Sequence, residues 1–457
     1  MEGLSVRSKK FNQYVAMLLS FLLVASLWLP TQTVQAEETM KVNASAAILI
    51  DGETGQILFE QNPDQLLGIA SMTKMMTEYL LLEAINEKKV TWDQTYTVSE
   101  YAYKVSQDRS LSNVPLRLGE TYNVRELYEA MTIYSANGAA IAIAEVIAGS
   151  ETEFVKLMNN KAKKLGLKEY KFVNASGLSN SDLKGMHPKS GTPKDENLLS
   201  ARATAKLAYE LLQDYPEVLE TASIPKKSFR EGTTDEIKMS NWNWMLPSLL
   251  FGYEGMKGLK TGTTDFAGYC FTGTAERGER KLISVVMNAT DASGKGSPNA
   301  RFAETKKLLD YGFDQFEQKE VVKKGYQVKG QETVEVPKGK SKQVAIQTET
   351  PLVLNVKKEE KTKYKYEIDY NRSVLNEENQ LEAPAKKGEV VGFLSVIPEN
   401  GEQVKYLTPQ EEKQAKAPVV AKETVEKANW FVLSMRAIGS FFSGAWSGLV
   451  DTITGWF

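Results

Sequence analysis

A hydroxyl becomes a useful nucleophile when an uncharged amine beside it can take its proton. Ser71-Met72-Thr73-Lys74 offers that pair, because residues three apart on a helix share a face and Lys74 can bring its amine to the Ser71 hydroxyl. An ammonium cannot act as a base, so the lysine pKa has to fall. Burial in an apolar helix and a second nearby cation, Lys260, both push it down. At a helix N-terminus Ser71 also gains from the dipole, and its own backbone N–H can face a developing oxyanion. The chemistry indicated is acyl transfer through a serine ester.

Two further short motifs complete a site. Ser135-Ala136-Asn137 is predicted to lie at a helix–helix connection, where the Ser135 hydroxyl can pass a proton between Lys74 or Lys260 and a leaving amine. Asn137 offers an amide that orients Lys74 or a substrate peptide carbonyl. Lys260-Thr261-Gly262-Thr263 forms the other wall: the backbone N–H of Thr263 completes an oxyanion hole, and Lys260 and Thr261 favour a substrate carboxylate. Each pattern alone is weak. The first recurs at Ser181–Lys184 and Ser223–Lys226, the second at Ser297-Pro298-Asn299, and a Lys-Ser-Gly variant of the third at Lys189. Context separates them. Ser71 heads a long apolar run, Ser181 sits in a polar loop, and Pro225 disfavours a helix after Ser223.

Other chemistries are hard to build. The single histidine, His187 in a loop-like Gly-Met-His-Pro-Lys stretch, cannot make a multi-histidine zinc cluster and is the sole candidate base for a Ser-His-Asp triad. The single cysteine, Cys270, lies in a strand-like run and reads as a buried, inert thiol. No metal or cofactor is expected. With 56 basic and 58 acidic residues spread widely, nucleic acid is not an expected partner.

The elements that must position these residues fall into a sequence of segments. Residues 1–36 read as a secretory signal: Arg7, Lys9 and Lys10, then an apolar run from Tyr14 to Leu29, then Val34-Gln35-Ala36 before a cleavage point. Residues 37–316 are predicted to be a mixed α/β domain. It opens with a hairpin around Asp51–Gly55 and continues with a helix from Ser71 to Ile85 that is apolar on nearly every face. Helices near Val124–Ile133 and Ala139–Ile147 flank Ser135, and a hairpin of Tyr269–Ala275 with Lys281–Ala289 gives an antiparallel sheet, flanked by the helices. Residues 317–407 alternate with period two and predict a small all-β domain, a spacer or a binding module. Residues 408–426 read as a polar, proline-bounded linker. Residues 427–457 read as an amphipathic helix lying in a membrane interface, with Phe431, Met435, Ile438, Phe442, Trp446 and Leu449 on one side.

The three motifs in this order resemble those of the penicillin-recognising serine enzymes. The neighbourhoods Ile69–Met76 and Gly258–Gly262 look like those of the low-molecular-mass penicillin-binding proteins, the exported D-alanyl-D-alanine carboxypeptidases of bacterial cell walls. The resemblance implies a DD-peptidase/β-lactamase-like α/β (α+β) domain, peptidoglycan stem peptides as substrate and β-lactams as covalent inhibitors. It also implies an exported enzyme held peripherally at the outer face of the cytoplasmic membrane. It further implies that Arg301 helps hold the substrate's terminal carboxylate; from the residues alone, Arg301 is equally a surface residue paired with Glu304. Thr263 stands where some relatives carry His or Ser. The rival functions on the same site are β-lactamase, against which Ala136 replaces the aspartate of class A enzymes, and DD-transpeptidase. A catalytically silent peptidoglycan-binding protein would have no use for the lysine beside the serine.

Overall fold

The first hairpin is set by its turn. In the computed structural model, which describes residues 40–358, 362–401 and 403–438, Ala44–Asp51 (β1) and Ile57–Gln61 (β2) pair antiparallel. The Asp51 carboxylate accepts from the Thr54 backbone N–H at 2.8 Å and from the Thr54 hydroxyl at 2.8 Å, folding the chain back at Gly55, whose φ is +68°. Met256–Thr264 (β3), Gly268–Arg277 (β4) and Arg280–Ala289 (β5) extend this hairpin into an antiparallel sheet of order β3-β4-β5-β1-β2. The strand carrying Lys260 is therefore an edge, with one side left open.

Strand periodicity assigns the two faces. Ile48, Ile50, Ile283, Val285 and Met287 join one core with Lys74–Asn86 (α1) and Ala201–Asp214 (α4). Leu49 and Leu282 point the other way, against Gly312 of Pro298–Gln315 (α5), where a larger residue would collide with both. A second, mainly helical core is built on Val124–Tyr134 (α2) and Asn137–Ala148 (α3). Helix α1 serves both cores. Met75, Met76, Leu80 and Leu82 pack into the first and Leu81 and Ala84 into the second, so no face of it is left for solvent. Each such leucine or methionine contributes about 1.5–3 kcal/mol by burial.

The described residues from Val42 onward form one unit. Phe316–Val322 (β6) pairs with Leu352–Lys357 (β9), and a five-stranded sheet follows in the order β7-β8-β12-β11-β10. Its strands are Thr333–Glu335 (β7), Gln343–Thr348 (β8), Tyr364–Tyr370 (β10), Val390–Pro398 (β11) and Ala417–Ala421 (β12). The all-β expectation holds, but the linker expected at 408–426 is not one. Thr408 caps a short helix, Pro409–Gln414 (α6), with proline in its first turn, so the proline marks a helix start rather than a break. Strand β12 then runs between β8 and β11 with Val419 and Val420 buried.

The polar character of 408–416 has its own explanation. Glu411 is buried and ion-paired to Lys206 of α4, which also meets Glu210 at 2.6 Å. Gln56 exchanges two hydrogen bonds with the Asn355 backbone, at 2.8 and 2.9 Å, and Leu407 belongs to the first core. The polar side chains are bridges between the two domains. Beyond β12, residues 430–438 are helical, with Trp430, Phe431, Met435 and Ile438 exposed and Arg436 donating to the Gly339 and Lys340 carbonyls at 2.9 Å. The expected signal at 1–36 and the remainder of the terminal helix, 439–457, lie outside the described residues. Among the described residues no helix is long and apolar enough to cross a membrane.

Candidate active site

Ser71 sits in a 3-10 turn, Ala70–Thr73, that leads into α1. Ala70 takes φ +46°, an unusual value for a residue with a side chain, and the turn lies against β3. Gly262 makes that approach possible: a methyl group there would press on the Ile69 carbonyl and the Met72 N–H. The S-x-x-K spacing brings the two side chains together. Lys74 Nζ lies 3.0 Å from Ser71 Oγ, 2.7 Å from Asn137 Oδ1 and 2.6 Å from the Ser176 carbonyl oxygen.

Helix α2 begins in a capping box between Asn123 and Glu126 and ends at Ser135, which has φ +59°. This left-handed turn starts α3 immediately afterwards, so Ser135 and Asn137, both buried, come from one sharp corner. Of the two tasks foreseen for Asn137, the geometry carries the first. Its Oδ1 accepts from Lys74, and its Nδ2 donates to the Ser112 carbonyl at 3.0 Å.

The two lysines are buried cations by composition, and neither is comfortable charged. Lys74 is held well below the ordinary lysine range, mostly by desolvation and secondly by the field of Lys260. Lys260 is pushed down to about 7 by desolvation, with Glu78 opposing and Arg301 adding to the fall.

Arg301 is not a surface residue. It is 4% exposed, and one guanidinium nitrogen donates to the Gly262 carbonyl at 3.1 Å, to Thr263 Oγ1 at 3.0 Å and to the Cys270 carbonyl at 3.3 Å. Its foreseen partner Glu304 instead binds the Asn43 backbone and side chain, at 2.9 and 3.0 Å. Burial lowers Arg301 to about 10. Hydrogen bonds thus join Ser71 of the 3-10 turn, Lys74 of α1 and Asn137 of α3, and join Arg301 of α5 to Gly262 and Thr263 of β3. The turn itself lies against β3, and Ser135 is buried at the corner between α2 and α3.

The competing motif matches have ordinary roles. Ser297 caps α5 by accepting from the Ala300 N–H at 3.1 Å, Lys184 is paired with Asp108, and Lys189 is exposed. His187 Nδ1 lies 3.0 Å from the Pro188 carbonyl. Cys270 is fully buried, and burial pushes its thiol up to about 11, as expected of an inert residue. Among the described residues no cluster of His, Cys, Asp and Glu is arranged to hold a metal ion.

Sequence reasoning missed two contributors. The Ser176 carbonyl belongs to a loop wired from every side. Asn174 Oδ1 accepts from Gly177 N–H at 2.7 Å, Glu151 accepts from Ala175 N–H at 2.8 Å, and Thr77 donates to the Ala175 carbonyl at 2.7 Å. A backbone acceptor has no residue-type signature, although Asn174-Ala175-Ser176-Gly177 is a turn signal. The other is Glu78, a buried carboxylate in a largely apolar helix one turn beyond Lys74. That anomaly was readable.

A part-buried serine in a 3-10 turn, hydrogen-bonded to a buried lysine at the head of the helix that follows and lying against an edge strand of an antiparallel sheet, is the geometry of a serine acyl-transfer hydrolase. Comparison with known proteins narrows the class. Residues 31–291 match the family model for D-alanyl-D-alanine carboxypeptidase, and residues 316–427 match that for the C-terminal domain of penicillin-binding protein 5. The chain is 33% identical to the D-alanyl-D-alanine carboxypeptidase DacF of Bacillus subtilis, over 87% of this chain and 90% of that protein. It is 31% identical to DacC of Escherichia coli, over 96% and 94% respectively. The crystal structure of a peptidoglycan synthesis regulatory factor (PBP3) from Streptococcus pneumoniae superposes with a TM-score of 0.69 at 32% identity, covering 85% of this chain and all of that one. The chain belongs to the D-alanyl-D-alanine carboxypeptidase family and is a serine hydrolase that removes a terminal D-alanine.

Proposed function

We propose that Ser71 is the nucleophile of this carboxypeptidase, with Lys74 as its base and the terminal D-alanine of peptidoglycan stem pentapeptides as the group released. One observation carries the reading. An uncharged amine has two N–H groups and one lone pair. Two of the three atoms around Lys74 Nζ, Asn137 Oδ1 and the Ser176 carbonyl, can only accept, at 2.7 and 2.6 Å. With burial and Lys260 disfavouring the charged form, these two acceptors take both N–H groups, and the lone pair is then left for the Ser71 hydroxyl, whose oxygen lies 3.0 Å away.

The reaction then runs in two steps. Ser71 Oγ attacks the carbonyl carbon of the penultimate D-alanine while its proton passes to Lys74. The oxyanion is met by the backbone N–H groups of Ser71 and Thr263. Ser135 hands the proton on to the leaving nitrogen, the peptide C–N bond breaks and D-alanine departs. Water, activated by the same amine, hydrolyses the ester. Lys260, Thr261 and Arg301 hold the terminal carboxylate; the buried Arg301 Nε, which has no protein partner, suits an incoming anion. β-Lactams present a strained amide to the same hydroxyl. Mass mapping after benzylpenicillin treatment is expected to place the adduct on the peptide containing Ser71, and Ser71→Ala to abolish both adduct and D-alanine release. An adduct on any other residue refutes the assignment.

The proposal extends to location. Residues 1–36 carry the chain across the membrane and are removed, the domains 37–316 and 317–428 work outside the cell, and the terminal helix lies in the outer face of the cytoplasmic membrane. Because β12 is part of the small domain, a clean test spares that strand and removes only the terminal helix. A chain ending at Asn429 is expected to keep D-alanine release and to stop sedimenting with membranes. Continued sedimentation would place the tether elsewhere.

A further inference from the structure

Glu78 is a buried acid on α1, one turn beyond Lys74, and nothing in the mechanism above uses it. Its side chain is 4% exposed. Lys74 and Glu78 are one helical turn apart on α1, yet they do not pair: the Lys74 amine is turned to Ser71, Asn137 and Ser176. Glu78 Oε1 instead accepts from Thr132 Oγ1 of α2 at 3.0 Å, and the Tyr128 hydroxyl, also on α2, donates to the same carboxylate. Both α1 and α2 pack here with β3 as the third side, and from β3 the facing charge is Lys260. Arg301, on α5, stands beyond Lys260 and acts on it with the same sign.

We propose that Glu78 is a positioning residue that divides the charge between the two active-site lysines, sustaining Lys260 as the ammonium that meets the substrate carboxylate while leaving Lys74 as the free amine. The two lysines need opposite protonation states, and burial acts on both in the same direction. A symmetric environment would therefore neutralise both. The α2 hydroxyls engage the Glu78 carboxylate while the Lys74 amine is turned to Ser71, Asn137 and Ser176, and the Glu78 charge supports the Lys260 ammonium. Glu78 itself is raised to about 7 by desolvation, against the hydrogen bonds of Tyr128 and Thr132, and Lys260 stands at about 7 as well. The two titrate as a coupled pair across neutral pH.

This inference rests on the Ser71–Lys74 reading, and the test separates the two. The pH profile of kcat/KM for diacetyl-Lys-D-Ala-D-Ala is measured with the full chain and with Glu78→Gln, alongside benzylpenicillin acylation. Glutamine keeps the Thr132 contact and removes the charge, so Lys260 loses its proton at lower pH. The alkaline limb is expected to move down by about one pH unit, with activity near pH 8 falling about tenfold, while activity near pH 6 changes little. The loss should appear mainly in KM, since the carboxylate contact exists in the ground state. Tyr128→Phe, which keeps the acid but weakens its ionised form, should move the limb the same way by less, and serves if Glu78→Gln does not fold. If wild type acylates at Ser71 and both variants leave the limb in place, Glu78 is structural only. If wild type does not acylate at Ser71, the site reading itself fails.

Discussion

Replacing Lys74 by methionine is expected to give a folded protein that acylates with benzylpenicillin about 10³-fold more slowly, within the range general-base catalysis supplies. Methionine matches the length of the lysine stem and suits a site that is 1% exposed. The price is two acceptors left without their donor, Asn137 Oδ1 and the Ser176 carbonyl, at about 1–3 kcal/mol each. Thermal melting therefore has to be followed alongside acylation, so that a fall in rate is not simply unfolding. Lys74→Arg is the sharper comparison, because a guanidinium can satisfy both acceptors but cannot give up its proton at working pH. It should be as inactive as methionine while melting differently. An acylation rate within about tenfold of wild type in either variant would mean that another group takes the proton. The acid limb of wild type has a defined sign: because desolvation and Lys260 hold Lys74 well below the ordinary lysine range, its amine is freed at lower pH than an ordinary lysine's, and activity is lost on that side as acid reprotonates it.

How much of this was legible in the sequence depended on whether a feature had a local cause. The S-x-x-K pair follows from helical geometry, and the helix from a run apolar on nearly every side. What the run did not reveal was why it is apolar nearly all round: α1 is shared between the sheet core and the helical core. The hairpins were readable because their turns carry Asp51, Gly55 and Gly278 at positions that need them. Arg301 could not be placed, since burial under β3 is a tertiary fact that a helix with glutamate three residues on does not announce.

The false linker has the opposite lesson. Thr408, Pro409 and Glu411 are the residues of a flexible tether when read one by one and the residues of a capped helix when read in order. Only the buried partner, Lys206, about two hundred residues away in sequence, decides between them. Glu78 was in plain view, but an acid within a largely apolar stretch that also carries Glu83 is easily passed over as noise. Burial of an ionisable group without an ion-pair partner is the pattern that deserved a function.

The loop that carries the Ser176 carbonyl gives the second large prediction. Gly177 has φ +82°, and a methyl group built there would overlap the Ala70 carbonyl and stand 2.9 Å from the Ser71 backbone nitrogen. Two costs therefore coincide in Gly177→Ala: a left-handed backbone that alanine resists, and a clash with backbone rather than with a side chain that could swing away. Together they are expected to destabilise the protein by about 3–5 kcal/mol, measurable as a lowered denaturation midpoint. The loop cannot relax freely, since Asn174, Glu151 and Thr77 hold it on three sides. The strain is passed instead to Ala70 and Ser71. A displacement of about 1 Å at the nucleophile is enough to cost about 10²-fold in rate, so the surviving folded fraction should acylate that much more slowly per molecule. Gly185→Ala is the control. It too has positive φ, at +75°, but open space around the added methyl, and it should lose a little stability and no acylation rate. Equal behaviour of the two variants would mean that the close approach of Gly177 to the Ser71 backbone has no bearing on catalysis.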